Sequence, residues 1–143
     1  MKIREVRRYN KRVFEAVQKL LPQLDHDAGL MTEHKLRTIL SSKSTHFFIA
    51  ETEDKEIAGM LSAVVYTIPT GTKFWIEDVV VDESYRGKGI GKDLMKSAID
   101  FAISKGARSV DLTSRPDRVA ANKLYRELGF DLRETNVYRY SVK

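Results

Sequence analysis

Val79-Val80-Val81-Asp82-Glu83-Ser84-Tyr85-Arg86-Gly87-Lys88-Gly89-Ile90-Gly91-Lys92 carries the clearest signal in this 143-residue chain. An apolar run breaks into a basic, glycine-spaced loop, and an amphipathic pattern follows at once. Three of the eight glycines fall within five residues. Glycine lets a backbone turn through positive φ and approach a ligand closely. A helix that starts there directs unpaired N–H groups and the positive end of its dipole at the guest of the loop. The guest that fits is a polyanion, a phosphate above all.

The flanking segments give the elements around this loop. Residues 2–8 alternate and read as a first strand, and Val13, Phe14, Val17, Leu20, Leu21 and Leu24 fall on a helical stripe. The polar loop Asp25-His26-Asp27-Ala28-Gly29 precedes a second short helix bearing Leu36, Ile39 and Leu40. Strands are expected over 46–51 and 57–68, joined by a turn at Glu53-Asp54-Lys55-Glu56. After the turn Pro69-Thr70-Gly71-Thr72, a strand over 74–82 ends in the valine run, whose composition suggests burial on both faces. Residues 90–105 are helical and Gly106 stops them, while 109–114 read as a strand. Asp117 is a candidate N-cap for the stripe Ala121, Leu124, Tyr125, Leu128, which Gly129 closes. A last strand is expected over 137–142. The order βααβββαβαβ predicts a mixed α/β fold with helices covering a central sheet. No linker, repeat or low-complexity segment interrupts it, so one domain over 1–143 is expected.

Composition narrows the function. There are no cysteines, which excludes disulfides, thiolate metal sites and a cysteine nucleophile. The N-terminus is charged where a signal peptide needs an apolar core, and no run approaches the ~20 apolar residues of a membrane span. A cytoplasmic protein without a membrane partner is the expectation. The net charge of +5 is spread along the chain apart from Arg4, Arg7, Arg8, Lys11 and Arg12, which read as a solvated basic face. No nucleic-acid partner is expected, because no motif or aromatic interleaving accompanies the charge.

The loop fits neither common nucleotide pattern. A Walker A loop needs G-x-x-x-x-G-K-[ST], but Gly91-Lys92 is followed by Asp93 and Arg86 stands where the first glycine belongs. A Rossmann fingerprint needs G-x-G-x-x-G, and the spacing here is Gly87, Gly89, Gly91. Arg86-Gly87-Lys88-Gly89-Ile90-Gly91 instead resembles the acyl-CoA pyrophosphate loop, [QR]-x-x-G-x-[GA], of the GNAT family of N-acetyltransferases. About 30 residues on, Asn122-Lys123-Leu124-Tyr125-Arg126-Glu127-Leu128-Gly129-Phe130 is similar to that family's L-Y-x-x-x-G-F segment. The resemblance implies a GNAT fold, with a central, mixed, mostly antiparallel sheet flanked by helices.

It also implies roles for residues. The backbone of Val79, Val80 and Val81 would pair with the pantetheine arm of acetyl-CoA, the strand splaying from its neighbour as a bulge allows. The loop of Arg86, Gly87, Lys88, Gly89, Ile90, Gly91 and Lys92 would take the pyrophosphate, an anion nest reinforced by full charges. Tyr125 matches the general acid that protonates the departing thiolate, although its stripe alone would read as core. Where the family often has a cofactor-binding asparagine, seven residues before this tyrosine, the chain has Arg118. Asn122 could bind cofactor or face solvent.

The acceptor amine must react in its neutral form. A lysine-like amine has a pKa about three units above neutral pH, so exposing its lone pair costs roughly 4 kcal/mol. A carboxylate, acting directly or through water, can take that proton. The position at which some relatives carry a glutamate on the fifth strand is Thr113 here, which leaves Glu77 and Asp78. Consecutive strand residues point to opposite faces, so only one can look into the site, and Glu77 is favoured. Asp25-His26-Asp27 reads as an exposed polar turn whose carboxylates suit a cationic substrate, and no metal is expected.

The resulting expectation is direct acetyl transfer from acetyl-CoA to a small-molecule primary amine, without an acyl-enzyme. Alternatives are acetylation of a protein N-terminus or lysine, or a non-catalytic acyl-CoA sensor. Relatives are often homodimers, and the resemblance carries that expectation too.

Overall fold

A computed structural model describes residues 1–142. The chain divides into two compact units, the first Met1–Thr113 and the second beginning at Ser114.

The first unit is built on one five-stranded sheet in the order β1-β2-β3-β4-β5. The strands are β1 (Lys2–Val6), β2 (Thr45–Glu51), β3 (Ile57–Ile68), β4 (Gly71–Val81) and β5 (Ser109–Asp111). The first three pairings are antiparallel, and β4 with β5 is parallel. A parallel pair needs a crossover, supplied here by α3 (Ile90–Ser104). Helices α1 (Lys11–Leu24) and α2 (Glu33–Ser41) lie between β1 and β2 in sequence.

Side-chain alternation sorts the helices onto the two faces. Val13, Val17 and Leu20 of α1 and Leu36 and Leu40 of α2 share one core with Phe47, Ile49, Met60 and Val80. The intervening residues Phe48 and Phe74 turn the other way, and both rings meet Phe101 of α3 edge-on, at centroid distances of 5.5 and 5.9 Å. Leu94, Met95, Ala98 and Ala102 bury the rest of that face of α3. Capping matches local chemistry: Asn10 and Thr32 side chains accept N–H bonds at the starts of α1 and α2.

The second unit contains α4 (Val119–Glu127). Arg118, not Asp117, occupies its N-cap, and no side chain caps it. The strand expected over 137–142 is absent: residues 130–142 form no helix or strand, and Val137, Tyr138, Tyr140 and Val142 are exposed. Alternation gives a segment the capacity for a strand, but a strand exists only where another edge pairs with it. For the same reason the strand expected over 109–114 shrinks to three residues.

Candidate functional site

The site begins where β4 loses a neighbour. β5 pairs with β4 through Lys73–Ser109, Phe74–Val110 and Trp75–Asp111, so from Ile76 to Val81 the β5-facing edge of β4 has no strand partner among the described residues. That stretch also carries a bulge. Ser62 pairs with Glu77 and Met60 with Val80, which leaves Leu61 opposite both Asp78 and Val79, and Asp78 adopts φ +51°. The expected bulge is present. The bulge corrects the assumption of strict alternation: Glu77 and Asp78 are both exposed. The valine run is only half covered, with Val80 buried and Val79 and Val81 intermediate, because β5 has already ended.

Asp82 closes β4 and is 2% exposed. Its carboxylate accepts from the Ser84 N–H and hydroxyl, both at 3.1 Å, and pairs with Lys19 Nζ at 3.0 Å. Burial alone would push this carboxyl up, but the Ser84 and Lys19 donors outweigh it and hold it below the ordinary value. A single turn of 3₁₀ helix, Glu83–Tyr85, follows. The Tyr85 hydroxyl donates to Glu56, and Arg86 Nε returns to the Val81 carbonyl at 3.1 Å.

The loop then opens. Gly87 and Gly89 both adopt φ +80°, and no heavy atom lies within 4 Å of where a Cβ would stand on either. Gly89 is the N-cap of α3 and offers no side chain to its N–H groups. The amides of Ile90, Gly91 and Lys92 therefore have no acceptor within the helix. Backbone donors, a helix N-terminus and open space converge, with the side chains of Arg86, Lys88 and Lys92 adding charge. These residues suit a pyrophosphate. Behind the loop packing is tight: a Cβ on Gly59 would lie 3.0 Å from the Val80 carbonyl oxygen and 3.1 Å from Leu94 Cδ1.

On the α1 side of β4, Asp25 caps the C-terminus of α1, and its carboxylate accepts the Asp27 N–H at 3.0 Å. Partial desolvation of a side chain that is exposed overall, then the negative charge of Asp25, raise the Asp78 carboxyl above its ordinary value. The pair forms an acidic margin beside the bulge.

In the second unit, Tyr125 is half-buried on α4 and packs edge-on against Phe130 at 6.0 Å. Burial raises its hydroxyl pKa, and Arg118 opposes the rise. Asn122 donates through Nδ2 to the Arg115 carbonyl at 3.0 Å, closing its own loop rather than facing solvent unpaired. The first unit thus gathers Glu77, Val79 to Val81 and Arg86 to Lys92, while Tyr125 and Asn122 belong to the second.

A sequence model of the Acetyltransferase (GNAT) family matches residues 9–130. The chain belongs to this family. Among curated relatives, human N-acetyltransferase 8 is 30% identical over 66% of this chain and 42% of its own length. Streptothricin acetyltransferase of Streptomyces lavendulae is 39% identical over 58% of this chain and 43% of its own. The chain therefore spans less than half the length of these GNAT relatives. Solved structures share the fold throughout. A Trypanosoma brucei acetyltransferase superposes with TM-score 0.79 at 26% identity, covering 99% of both chains. An aminoglycoside acetyltransferase from an uncultured soil metagenomic sample, in complex with sisomicin, gives 0.86 at 21% identity over 99% and 95%. Within this GNAT chain, motif reading marked Asp82 only as the end of the valine strand and did not single out Lys19 or Gln23. None belongs to a glycine or tyrosine signature, and their roles arise from contacts far apart in sequence.

Proposed function

We propose that the protein is an acetyl-CoA-dependent N-acetyltransferase acting on a small, cationic primary amine, with 1–143 working as one catalytic domain. The observation that carries this reading is the unpaired edge of β4 running into a loop whose two positive-φ glycines leave open space before an uncapped helix. In this reading the backbone of Val79 to Val81 holds the pantetheine arm and polarises the thioester carbonyl. Arg86 to Lys92 hold the pyrophosphate, with Asn122 a further contact. The amine nitrogen bonds to the acyl carbon as the carbon–sulfur bond breaks. Glu77 takes the amine proton, directly or through water, and the Tyr125 hydroxyl gives one to sulfur. Raised above its ordinary value, that hydroxyl is fully protonated at neutral pH, as an acid must be. Asp78 is the second candidate base, because its raised carboxyl lies nearer the working pH.

Similarity to streptothricin and aminoglycoside acetyltransferases supports a small-molecule acceptor, as does the acidic margin of Asp25 and Asp78. Similarity to N-alpha-acetyltransferase 30 of Schizosaccharomyces pombe, 29% identical over 65% of this chain, favours a protein N-terminus as the second reading. The test is thiol release from acetyl-CoA across a panel of aminoglycosides, polyamines and peptide N-termini. Turnover on a small polycation supports the proposal. Tight CoA binding without turnover on any amine replaces it with a sensor role.

A further inference from the structure

The glycine loop is anchored from a distant helix. Asp82, at its root, is nearly fully buried, and its own N–H donates to the Ala58 carbonyl at 2.8 Å. Its carboxylate reaches out of the sheet to Lys19 Nζ at 3.0 Å. One residue on, the Glu83 N–H donates to Gln23 Oε1 at 2.9 Å. Lys19 and Gln23 are four residues apart, so they form one row on α1. Two residues beyond Gln23, Asp25 ends that helix beside Asp78.

We infer that Lys19 and Gln23 are positioning residues, which from α1 fix the Asp82–Tyr85 turn and thereby the geometry of the loop from Arg86 to Lys92. The inference rests on reading that loop as the CoA pyrophosphate site. Neither side chain has to touch the cofactor. Anion binding by backbone N–H groups depends on their orientation, and the two glycines give the loop little rigidity of its own. Rigidity has to enter at the ends. One end is α3, anchored by fully buried Leu94 and Met95. The other is the Asp82 turn, which α1 holds through two side chains. Lys19 is suited to this work: its side chain is 67% exposed, so it adds little to the core, yet its ammonium meets a carboxylate that is 3% exposed.

The experiment measures CoA affinity by isothermal titration for the wild type, Lys19→Met, Lys19→Arg, Gln23→Ala and Gly89→Val, with thermal melts alongside. Met keeps the length of the apolar stem and removes the charge. Lys19→Met is expected to weaken CoA binding about tenfold, Gln23→Ala about threefold, and Lys19→Arg less than about twofold, as for residues coupled through one network. Adding Lys19→Met to Gly89→Val should cost less than it does alone, because both act through the same loop. A purely structural role would lower the melting temperature without changing the affinity of the folded protein, and that result overturns the inference. So does a Lys19→Arg variant as weak as Lys19→Met. Should Gly89→Val itself bind CoA like the wild type, the loop reading falls and the positioning role falls with it.

Discussion

In the proposed mechanism Tyr125 and Glu77 would carry opposite halves of one proton inventory, and each makes a separate prediction. Tyr125→Phe removes a hydroxyl and keeps the ring against Phe130. It should lower kcat about 100-fold, the usual order for a lost general acid, while leaving CoA affinity unchanged. Steady-state kinetics beside calorimetry checks both. Glu77→Gln should lower kcat about 100-fold, as for a lost general base, and Asp78→Asn should leave it within about twofold. Because partial desolvation and Asp25 raise the Asp78 carboxyl, the reverse outcome would move the base role there, with activity lost as pH falls through that raised value. The residues that sequence marked for phosphate binding occupy the loop because glycine spacing is a local signal that needs no tertiary context. The choice between Glu77 and Asp78 was not legible. Alternation separates them, whereas the bulge at φ +51° leaves both exposed, and nothing local in Ile76-Glu77-Asp78-Val79 announces a bulge.

Among the elements, α3 links the core to the site, since its N-terminus is the loop and its buried face packs on the sheet. Leu94 is fully buried and lies against Gly59 where β3 approaches β4. Leu94→Ala should cost about 3 kcal/mol of stability by the transfer and cavity terms, measurable by urea unfolding. Helices were legible because an apolar stripe records burial on one face. Thus α3, expected over 90–105, spans Ile90–Ser104, and β3 spans Ile57–Ile68 as read. Strand ends were less legible, since pairing decides them. Gly71 to Lys73 extend β4 backward because β3 is there to pair with them, and 112–114 fall out of β5 because β4 no longer lies alongside. Val137 to Val142 alternate well and still form no strand. The N-cap at Arg118 rather than Asp117 is a one-residue displacement of the same kind, decided by how the preceding turn closes.

At the scale of the whole molecule, Glu51 ties β1, α1 and β2 together. It is 4% exposed and accepts from Arg4 Nε at 3.1 Å and Arg12 Nη2 at 2.5 Å, while Arg12 also donates to the Lys55 carbonyl. The Arg4 hydrogen bond first, and Arg12 after it, outweigh burial and lower this carboxyl from 4.5 to about 2. A depressed carboxylate stabilises the folded state above its unfolded pKa, and that contribution is lost as pH falls from 4.5 toward about 2. Acid titration of stability should show this loss, and Glu51→Gln should flatten it while costing about 2 kcal/mol near neutral pH, moderated by the partial exposure of both arginines. The chain belongs to the GNAT family, and the central claim of the proposed function is where the donor would bind. Amide chemical-shift mapping with CoA tests it most directly. The largest shifts are expected at Val79 to Val81 and Gly87 to Lys92, with changes relayed to Asp82 and Glu83. Shifts concentrated elsewhere, with those amides unmoved at saturating CoA, would contradict it.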